Sequence, residues 1–336
     1  MTSSSRGIRP RTVVLLLMLS LLAAVAVRPM IRPGSPVLVE VRRRTPVLGT
    51  YATYIVVADS GSAGRILASM DSLARILDDE LGIYGTGELS RINSAGRAHI
   101  SDLSADMEYL LETSLLLSEV TDSLFDPAIG ALVSVWGFPR QPVLPDSAEI
   151  DSALAVSGLA HLRIEGDTLF LDEGTLLDLG AVAKGYVSDR IYSHARRSGA
   201  AAALVEIGGE IRCGGDPSAG RTWRLAVRDP RGEGTLEIME MDSGAMATSG
   251  DYESFFIKDG RRYCHILDPR TGYPETGTAS VTVVSHSASI ADALATAISV
   301  GGVTLAGTVP DSLFTLMIVI TEDETGAIEQ WRREAR

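Results

Sequence analysis

The sequence predicts an α+β fold in which helices pack against mixed or antiparallel sheets. Apolar residues recur at helical spacing over residues 62–80, and long helices are also expected at about 105–121 and 181–198. Over residues 223–267, short strand-like segments follow one another with turns roughly every ten residues, which is typical of antiparallel pairing. Long helices combined with such a run favour α+β over a doubly wound parallel sheet.

The other elements follow from local composition and spacing. Runs of β-branched and aromatic residues predict strands, and apolar residues three and four apart predict helices. The predicted strands are 47–58, 203–207, 223–227, 235–241, 245–248, 254–257, 262–267, 281–284 and 314–320, the last of which closes the sheet. The remaining predictions are helices at 146–158 and 289–300, a loop at 83–93 and a hairpin-like pair at 169–171 and 176–177.

Composition and charge restrict the classes of ligand. The chain has 336 residues, of which 45% are hydrophobic and 22% charged, so it is long and apolar enough for a large core. Its formal net charge of −13 argues against a nucleic-acid partner, because phosphate neutralisation needs clustered Lys and Arg. A polyanionic ligand would instead be held by backbone dipoles, one or two cations, or a divalent metal ion.

The N-terminus has the features of an export signal. Three arginines precede an uncharged run of 15 residues at 13–27, which is short for a membrane span. Residues 24–26, Ala-Val-Ala, fit the small-x-small pattern of a signal-peptidase site. We therefore expect an exported protein, in the periplasm or on the outer face of the cytoplasmic membrane, which an uncleaved segment would tether to that membrane.

Three regions follow from this assignment. Residues 1–27 are a signal peptide or N-terminal membrane anchor. Residues 28–44, with several prolines and three consecutive arginines, are expected to be a linker. Residues 45–336 form the folded domain.

The two cysteines, Cys213 and Cys264, both fall in predicted strands. They could pair in an oxidising compartment or remain buried thiols, and the sequence does not decide between these alternatives. His265 adjoins Cys264, but neighbouring strand residues point to opposite faces, which disfavours a shared metal site.

The most informative stretch runs from residue 176 to residue 189. A short apolar run ends in Asp178, the chain turns at Gly180, and a helix follows that carries Lys184 in its first turns. Unpaired N–H groups at such a turn suit phosphate oxygens, and a lysine adds a point charge. The Walker phosphate loop is excluded, because Lys184 is followed by Gly185 rather than by Ser or Thr. The alternative is an ordinary strand-to-helix turn.

A second pair of polar residues lies on the predicted C-terminal helix. Asp292 and Thr296 are four residues apart in an otherwise apolar segment, so they share one helix face. A carboxylate and a hydroxyl at this spacing can bind one hard cation such as Mg²⁺. The alternative is that Asp292 interacts with the helix dipole and Thr296 bonds back to its own helix.

Eight short motifs stand in order along the chain. They are Leu48–Thr50, the Tyr84 loop with Leu89–Asn93, Phe125–Pro127 with Trp136–Phe138, Asp178–Gly185, Ile207–Glu210, Ser249-Gly250, His265–Gly272 and Ala291–Thr296. With these motifs, residues 45–320 resemble the ApbE family of FAD:protein FMN transferases. The resemblance implies the ApbE-like fold, with the active site in a cleft between two lobes.

The resemblance also implies an activity and its residues. The reaction is Mg²⁺-dependent transfer of FMN from FAD to a threonine or serine hydroxyl of an acceptor flavoprotein, with release of AMP. The implied flavin contacts are Leu48, Tyr84, Leu124, Phe125, Asp126, Asp178, Lys184 and Ile266. The implied metal ligands are the side chains of Asp292 and Thr296 and the backbone oxygens of Ala181 and Ala295. One pyrophosphate bridging the 178–184 turn and the metal would unite the two sites.

The predicted catalytic residues are Lys184, His265 and Asp178. Lys184 would neutralise charge on the pyrophosphate and on the departing AMP. The incoming hydroxyl needs a base, for which His265, Asp178 and Asp268 are the candidates.

The chain departs from the family pattern at several positions. Leu48 replaces the usual Met, Ala128 a common polar residue, and Cys264 a common His, while Glu206 and Glu210 flank the glycine pair where Asn and Asp are usual. These differences concern fine substrate contacts more than the reaction.

Two other functions compete with the transferase. An FAD pyrophosphatase would use the same metal site with water as the nucleophile. A non-enzymatic FAD-binding protein would need no metal at the pyrophosphate, so Asp292 and Thr296 argue against it.

Overall fold

The computed structural model describes residues 37–138, 140–218, 220–323 and 325–336. The predicted signal or anchor at 1–27 lies outside these residues. The strands are β1 (Leu38–Val47), β2 (Thr50–Asp59), β3 (Arg97–His99), β4 (Leu162–Glu165), β5 (Thr168–Leu171), β6 (Ala202–Ile207), β7 (Glu210–Gly214), β8 (Trp223–Arg228), β9 (Thr235–Met241), β10 (Ser243–Gly250), β11 (Phe255–Lys258), β12 (Arg261–Cys264), β13 (Thr278–Ser285), β14 (Leu316–Glu322) and β15 (Ile328–Glu334). The helices are α1 (Ala63–Leu81), α2 (Glu88–Ala95), α3 (Ala105–Val120), α4 (Gly130–Trp136), α5 (Ser147–Leu154), α6 (Gly180–Arg197) and α7 (Ala288–Thr308).

An eight-stranded sheet organises the fold, in the order β1-β2-β6-β7-β10-β13-β14-β15. All its strand pairs are antiparallel. Side chains alternate between two cores, so that Val56 of β2 packs with helices α1, α6 and α7 while its neighbour Val57 packs with the β8–β9 hairpin. The predicted α+β class is confirmed, and the predicted cleft between two lobes stays a prediction.

A smaller apolar cluster joins α4 and α5 to the segment after β12. Trp136 is fully buried there, and its indole N–H donates to the Gly272 carbonyl at 2.8 Å. Aromatic rings of the β11–β12 hairpin pack against it, with the Phe256 and Tyr263 centroids 5.2 Å apart. This cluster fixes the 265–274 segment relative to the helices.

Both edges of the large sheet differ from the prediction. Strand β1 begins at Leu38, inside the predicted linker, so the folded domain starts before residue 45. At the other edge, β14 does not close the sheet, because β15 pairs along its outer side. These edge strands mix charged and apolar residues and are half exposed, which weakens the pattern that identifies a strand.

Three internal predictions also need correction. The predicted loop at 83–93 contains helix α2, which ends at Gly96 in the left-handed conformation. Leu176 and Leu177 do not form a strand, because the Gly130 N–H binds the Leu176 carbonyl and the Asn93 amide binds both backbone groups of Leu177. The strand run at 223–267 is divided among the large sheet, the β8–β9 hairpin and the β11–β12 hairpin.

Helix α7 is longer than predicted and bends at Gly302, whose φ of 60° and ψ of −157° are not helical. Among the described residues it is the one helix long and apolar enough to cross a membrane, yet it packs in the main core. The two cysteines are also in the interior, and both Cys213 and Cys264 are unpaired thiols.

Candidate active site

The turn before α6 is built around Asp178. Its N–H donates to the Pro127 carbonyl at 2.8 Å, and its Oδ1 accepts the Gly180 N–H at 2.6 Å. Burial raises the pKa of Asp178 above its ordinary value, and the Gly180 N–H opposes that shift. The acid therefore shapes the turn and joins it to the 125–128 loop.

Close packing of α6 on α7 brings two predicted site residues together. A Cβ on Gly185 would lie 2.1 Å from the Ala288 carbonyl oxygen, so only glycine allows the helices to approach this closely. The Gly185 N–H donates to Asp292 Oδ2 at 3.0 Å. Lys184, the preceding residue, thus faces the same carboxylate, although the two are far apart in sequence.

Replacing Gly185 with alanine should separate the two helices. We expect a loss of about 1–3 kcal/mol in the free energy of unfolding and a larger proportional loss of activity, because Asp292 moves away from Lys184. Thermal unfolding and turnover of the same preparation measure both effects. Gly307→Ala in α7 is the matched control, since a Cβ there meets nothing within 4 Å. Equal behaviour of the two variants would contradict this role.

Lys184, Glu210 and Asp292 form a buried charged cluster, here called the Lys184 cluster. The Lys184 Nζ lies 2.5 Å from Glu210 Oε1 and 3.8 Å from Asp292 Oδ1. The two carboxylate side chains are 1% and 2% exposed, while Lys184 is 25% exposed and so forms the open side.

Charge and burial compete in the Lys184 cluster. Burial alone would lower the pKa of Lys184, but the carboxylates of Asp292 and Glu210 outweigh it and raise the pKa above its ordinary value. Burial raises the pKa of both acids, and in Glu210 the negative charge of Asp292 adds to this effect. Two acids facing one ammonium leave a site that favours a further cation.

The donor set around Asp292 fits a magnesium ion in part. Thr296 lies one turn further along α7, and its hydroxyl is 3.3 Å from that of Ser249 on β10. In a regular helix the Gly185 N–H donates to the Ala181 carbonyl. Here the same N–H donates to Asp292, so the Ala181 carbonyl shares its helical donor with that carboxylate. The Ala295 carbonyl instead accepts the Ser299 hydroxyl at 2.9 Å, which makes Ala295 a poorer ligand than Ala181.

Oxygen donors of this kind are the ligands that Mg²⁺ prefers, with waters and phosphates completing its octahedron. Among the residues that the structure describes, no group of three or more His, Cys, Asp or Glu side chains is arranged to hold a metal. A cation here would therefore depend on Asp292, a hydroxyl and backbone oxygen.

Two turns border the Lys184 side chain. Gly208, with φ of 63°, begins the β6–β7 turn, and a Cβ there would lie 3.5 Å from Lys184 Cδ and 3.1 Å from Thr50 Cγ2. Leu48 in the β1–β2 turn also has a positive φ, of 47°, and its N–H donates to Asp78 Oδ1 at 3.0 Å. The structure thus places the Leu48 turn beside the glycine pair.

His265 follows β12 and faces the same region. Its Nδ1 is buried without a hydrogen-bond partner among the described residues. Burial and the positive charge of Lys184 lower the pKa of His265 to about 4, so the ring is neutral at pH 7 and can accept a proton. At Asp268, burial is outweighed by bonds from Arg270, which lower the pKa. These bonds occupy both carboxylate oxygens, whereas His265 Nδ1 has no partner among the described residues, so His265 is the more accessible proton acceptor.

Tyr84 lies in an exposed loop before helix α2. The Arg140 guanidinium is 4.5 Å from the centre of its ring. Together with Asn93 and Leu177, Tyr84 lines a cavity of about 170 Å³ directly before the Asp178 turn. An aromatic ring at this place can pack against a flat ligand.

The remaining predicted flavin contacts have structural roles. The Asp126 carboxylate accepts the N–H groups of Ala128 and Leu159 at 2.8 and 3.1 Å. Phe125 and Ile266 are each 3% exposed, and a Cβ on Gly301 of α7 would touch Leu124. These contacts hold the four residues in the core and in their own loops, and their contact with a flavin stays a prediction.

Comparison with known proteins decides the family. The sequence model described as the ApbE family matches residues 48–311 of this chain. The chain belongs to the ApbE family. It is 34% identical over 296 residues to the FAD:protein FMN transferase of Vibrio cholerae, which covers 84% of this chain and 89% of that protein.

Solved ApbE structures agree with the fold. The ApbE protein of Thermotoga maritima matches with a TM-score of 0.79 and 30% identity, over 87% of this chain and 96% of that one. The flavin transferase ApbE of Vibrio cholerae matches with a TM-score of 0.77 and 30% identity, over 89% and 98%. The ApbE-like fold inferred from the motifs is therefore confirmed.

Three functional candidates of this ApbE-family chain were not assigned a role from the sequence. Glu210 stood out only as a departure in the glycine-pair motif, and Ser249 only as part of a motif. Glu253 is exposed as a residue, and its carboxylate lies near enough to Lys184 and Asp292 to interact electrostatically with both. Each of these residues reaches the site because a particular turn packs against α6. Local sequence patterns do not show which turns pack against which helix.

Glu275 is a buried acid of this ApbE-family protein, and its ionisation should make the stability of the fold depend on pH. Its Oε1 is 4.0 Å from the Cys264 sulfur, and its Oε2 has no partner within the described chain. Burial raises the pKa of Glu275 from its usual 4.5 to about 8; the Thr278 N–H and Arg231 oppose this shift, whereas Asp251 increases it. The protonated form therefore stabilises the fold at low pH, and this contribution is lost as pH rises through 8.

Glu275→Gln should accordingly remove part of the pH dependence of stability. We expect the variant to exceed the parent by about 1 kcal/mol or more at pH 9 and to match it closely at pH 5. Denaturant unfolding at the two pH values measures the difference. A difference that is the same at both would show that Glu275 is not protonated in the folded state.

Proposed function

We propose that this ApbE-family protein transfers FMN from FAD to a threonine or serine hydroxyl of an acceptor flavoprotein and releases AMP. The observation that carries the proposal is the Lys184 cluster, which forms where helices α6 and α7 meet and borders the glycine turn between β6 and β7. The relatives named FAD:protein FMN transferase support the same reaction. FAD is the substrate, and no nucleic acid takes part.

The reaction exchanges one phosphorus–oxygen bond for another. The acceptor oxygen forms a bond to the FMN phosphorus, the bond from this phosphorus to the bridging oxygen breaks, and AMP leaves with that oxygen. Lys184 offsets charge on the pyrophosphate and on the departing AMP. His265, which is neutral at pH 7, receives the proton of the hydroxyl.

Magnesium is part of this proposal. Asp292, Thr296 and the Ala181 carbonyl would hold the ion, which would supply further neutralisation of the pyrophosphate. Tyr84 would pack against the flavin. The predicted seat of free N–H groups at the Asp178 turn is not found, because the N–H groups of Asp178 and Gly180 are bonded to Pro127 and to the Asp178 carboxylate, so Lys184 and the ion would neutralise the phosphates.

The location of the protein is proposed on the N-terminal sequence. The features of residues 1–27 support export, to the periplasm or to the outer face of the cytoplasmic membrane. The acceptor protein would then carry its hydroxyl in the same compartment. Cell fractionation with an antibody against the folded domain tests this proposal, and a purely cytoplasmic pool would contradict it.

One experiment separates transfer from hydrolysis and from simple binding. The protein is incubated with FAD and Mg²⁺, with and without a flavoprotein domain bearing the acceptor threonine. Intact mass of the domain and released AMP are then measured. Transfer predicts one added FMN per domain and AMP in equal amount, and a domain with that threonine replaced by valine is the control. AMP without a mass increase indicates a pyrophosphatase, and neither product indicates a binding protein.

A further inference from the structure

The ammonium of Lys184 is not shared equally by the two acids of its cluster. It lies 2.5 Å from Glu210 and 3.8 Å from Asp292, so it pairs with Glu210 and leaves the nearer Asp292 oxygen, Oδ1, without a close cation. The other Asp292 oxygen is held by the Gly185 N–H. Oδ1 of Asp292 is therefore only weakly paired, and because the Asp292 side chain is 2% exposed, a cation would reach it from the side of Lys184, which is 25% exposed.

Backbone contacts hold Glu210 in this position. Glu210 begins β7 directly after the glycine turn, and its register partner is Ile207. The Ser188 hydroxyl lies within hydrogen-bond distance of the carbonyl oxygens of both Lys184 and Glu210, at 3.0 and 3.2 Å. The second carboxylate oxygen of Glu210 is buried and has no partner among the described residues. Glu210 is thus held in place by its backbone, and its carboxylate is the nearer ion-pair partner of Lys184.

Removing Glu210 would change the partner of the ammonium. A largely buried ammonium that loses its carboxylate moves toward the nearest remaining negative charge, because an unpaired buried charge is unfavourable. Here that charge is Asp292. The ion pair formed would occupy the oxygen that a metal ion would otherwise bind.

We propose that Glu210 is a positioning residue, which holds the Lys184 ammonium away from Asp292 and thereby keeps that carboxylate available to a divalent cation. The inference rests on the proposed function, because it takes Asp292 as a cation ligand. Glu210 would act on the cation site mainly through Lys184, and its carboxylate also interacts directly with that of Asp292.

Binding of Mn²⁺ alone to the full chain tests this inference without flavin transfer. Free Mn²⁺ is measured by electron paramagnetic resonance for the parent, Glu210→Gln and Asp292→Asn. We expect one site in the parent, loss of that site in Asp292→Asn, and roughly 10- to 100-fold weaker binding in Glu210→Gln. Glu210→Asp, which keeps the charge, should recover part of the affinity.

The same substitution in a Lys184→Met background identifies the route of the effect. Without the Lys184 ammonium, Glu210 no longer has a cation to keep away from Asp292. Adding Glu210→Gln in this background should therefore change the Mn²⁺ affinity by less than about twofold. An equal loss in both backgrounds would overturn the inference, since Glu210 would then act directly. Because the double substitution removes Lys184 and Glu210 together, it leaves no unpaired buried ammonium and also provides a folded comparison if Glu210→Gln alone is unstable.

The outcomes also separate this inference from the function on which it depends. Parent-like affinity in Glu210→Gln, together with loss of the site in Asp292→Asn, would overturn the role of Glu210 and leave the metal proposal intact. Failure of the parent to bind Mn²⁺, or binding that survives Asp292→Asn, would overturn both.

Discussion

Replacing Asp292 with asparagine should reduce kcat for flavin transfer by about 10³-fold or more, because the variant loses the charge that would bind the metal at the pyrophosphate. The side chain keeps its shape, and its amide oxygen can still accept the Gly185 N–H, so the fold should remain. The rate of FMN attachment to an acceptor domain, followed by mass at saturating FAD and Mg²⁺, is the measurement.

Asp189→Asn is the matched control for this prediction. Asp189 is an acid that also contacts α7, where its Oδ2 accepts the Ser289 N–H at 3.1 Å and the Ser287 hydroxyl at 2.9 Å. It lies outside the Lys184 cluster, so its replacement should lower Tm and leave kcat nearly unchanged. Normal transfer by folded Asp292→Asn would exclude Asp292 from the reaction.

Lys184→Met should have the second largest effect, a fall in kcat of about 10²- to 10³-fold, because the pyrophosphate loses a positive charge that the fold holds in place. Lys184 is one of only two lysines in the chain, the other being Lys258. Lys258→Met on the exposed β11 strand is therefore a control that removes the same charge and should not change transfer.

The Lys184 variant should also show an altered dependence of stability on pH. Without the ammonium, the pKa values of Glu210 and Asp292 in the folded protein rise further above those of the unfolded chain. The variant is then stabilised at low pH, where both acids are protonated, and it loses this stability as pH rises and the acids must ionise. The difference in the free energy of unfolding between parent and variant should therefore grow toward pH 8. A constant difference between pH 5 and pH 8 would show that the ammonium does not interact with these acids.

Much of the site could be predicted from the sequence because its two main parts are local. The Asp178 turn with Lys184 and the Asp292–Thr296 pair can each be recognised within one helix, and the structure brings Lys184 and Asp292 together. Glu210 could not be assigned, because its role depends on the β6–β7 turn meeting α6. The same limit explains Leu176 and Leu177, whose backbone bonds come from Gly130 and Asn93 rather than from a strand.

The fold was predictable where hydrophobic periodicity is strong. Helix α1 and helix α6 agree with their predicted bounds within one residue at each end. Helix α2 was missed because glycines and polar residues interrupt its pattern, and β15 because its charged residues alternate on an exposed edge. Local sequence patterns identify a helix or strand that has one apolar face packed in the core. They fail for elements such as α2 and β15, which are stabilised mainly by contacts with neighbouring segments.

The span of the sheet affects how the protein can be shortened. The family match covers residues 48–311, whereas β1 precedes it and β14 and β15 follow it. A fragment cut to the match would expose the fully buried strand β13 as a bare hydrogen-bonding edge. Such edges recruit strands from other molecules, so the trimmed fragment should precipitate, while one covering residues 37–336 should remain monodisperse.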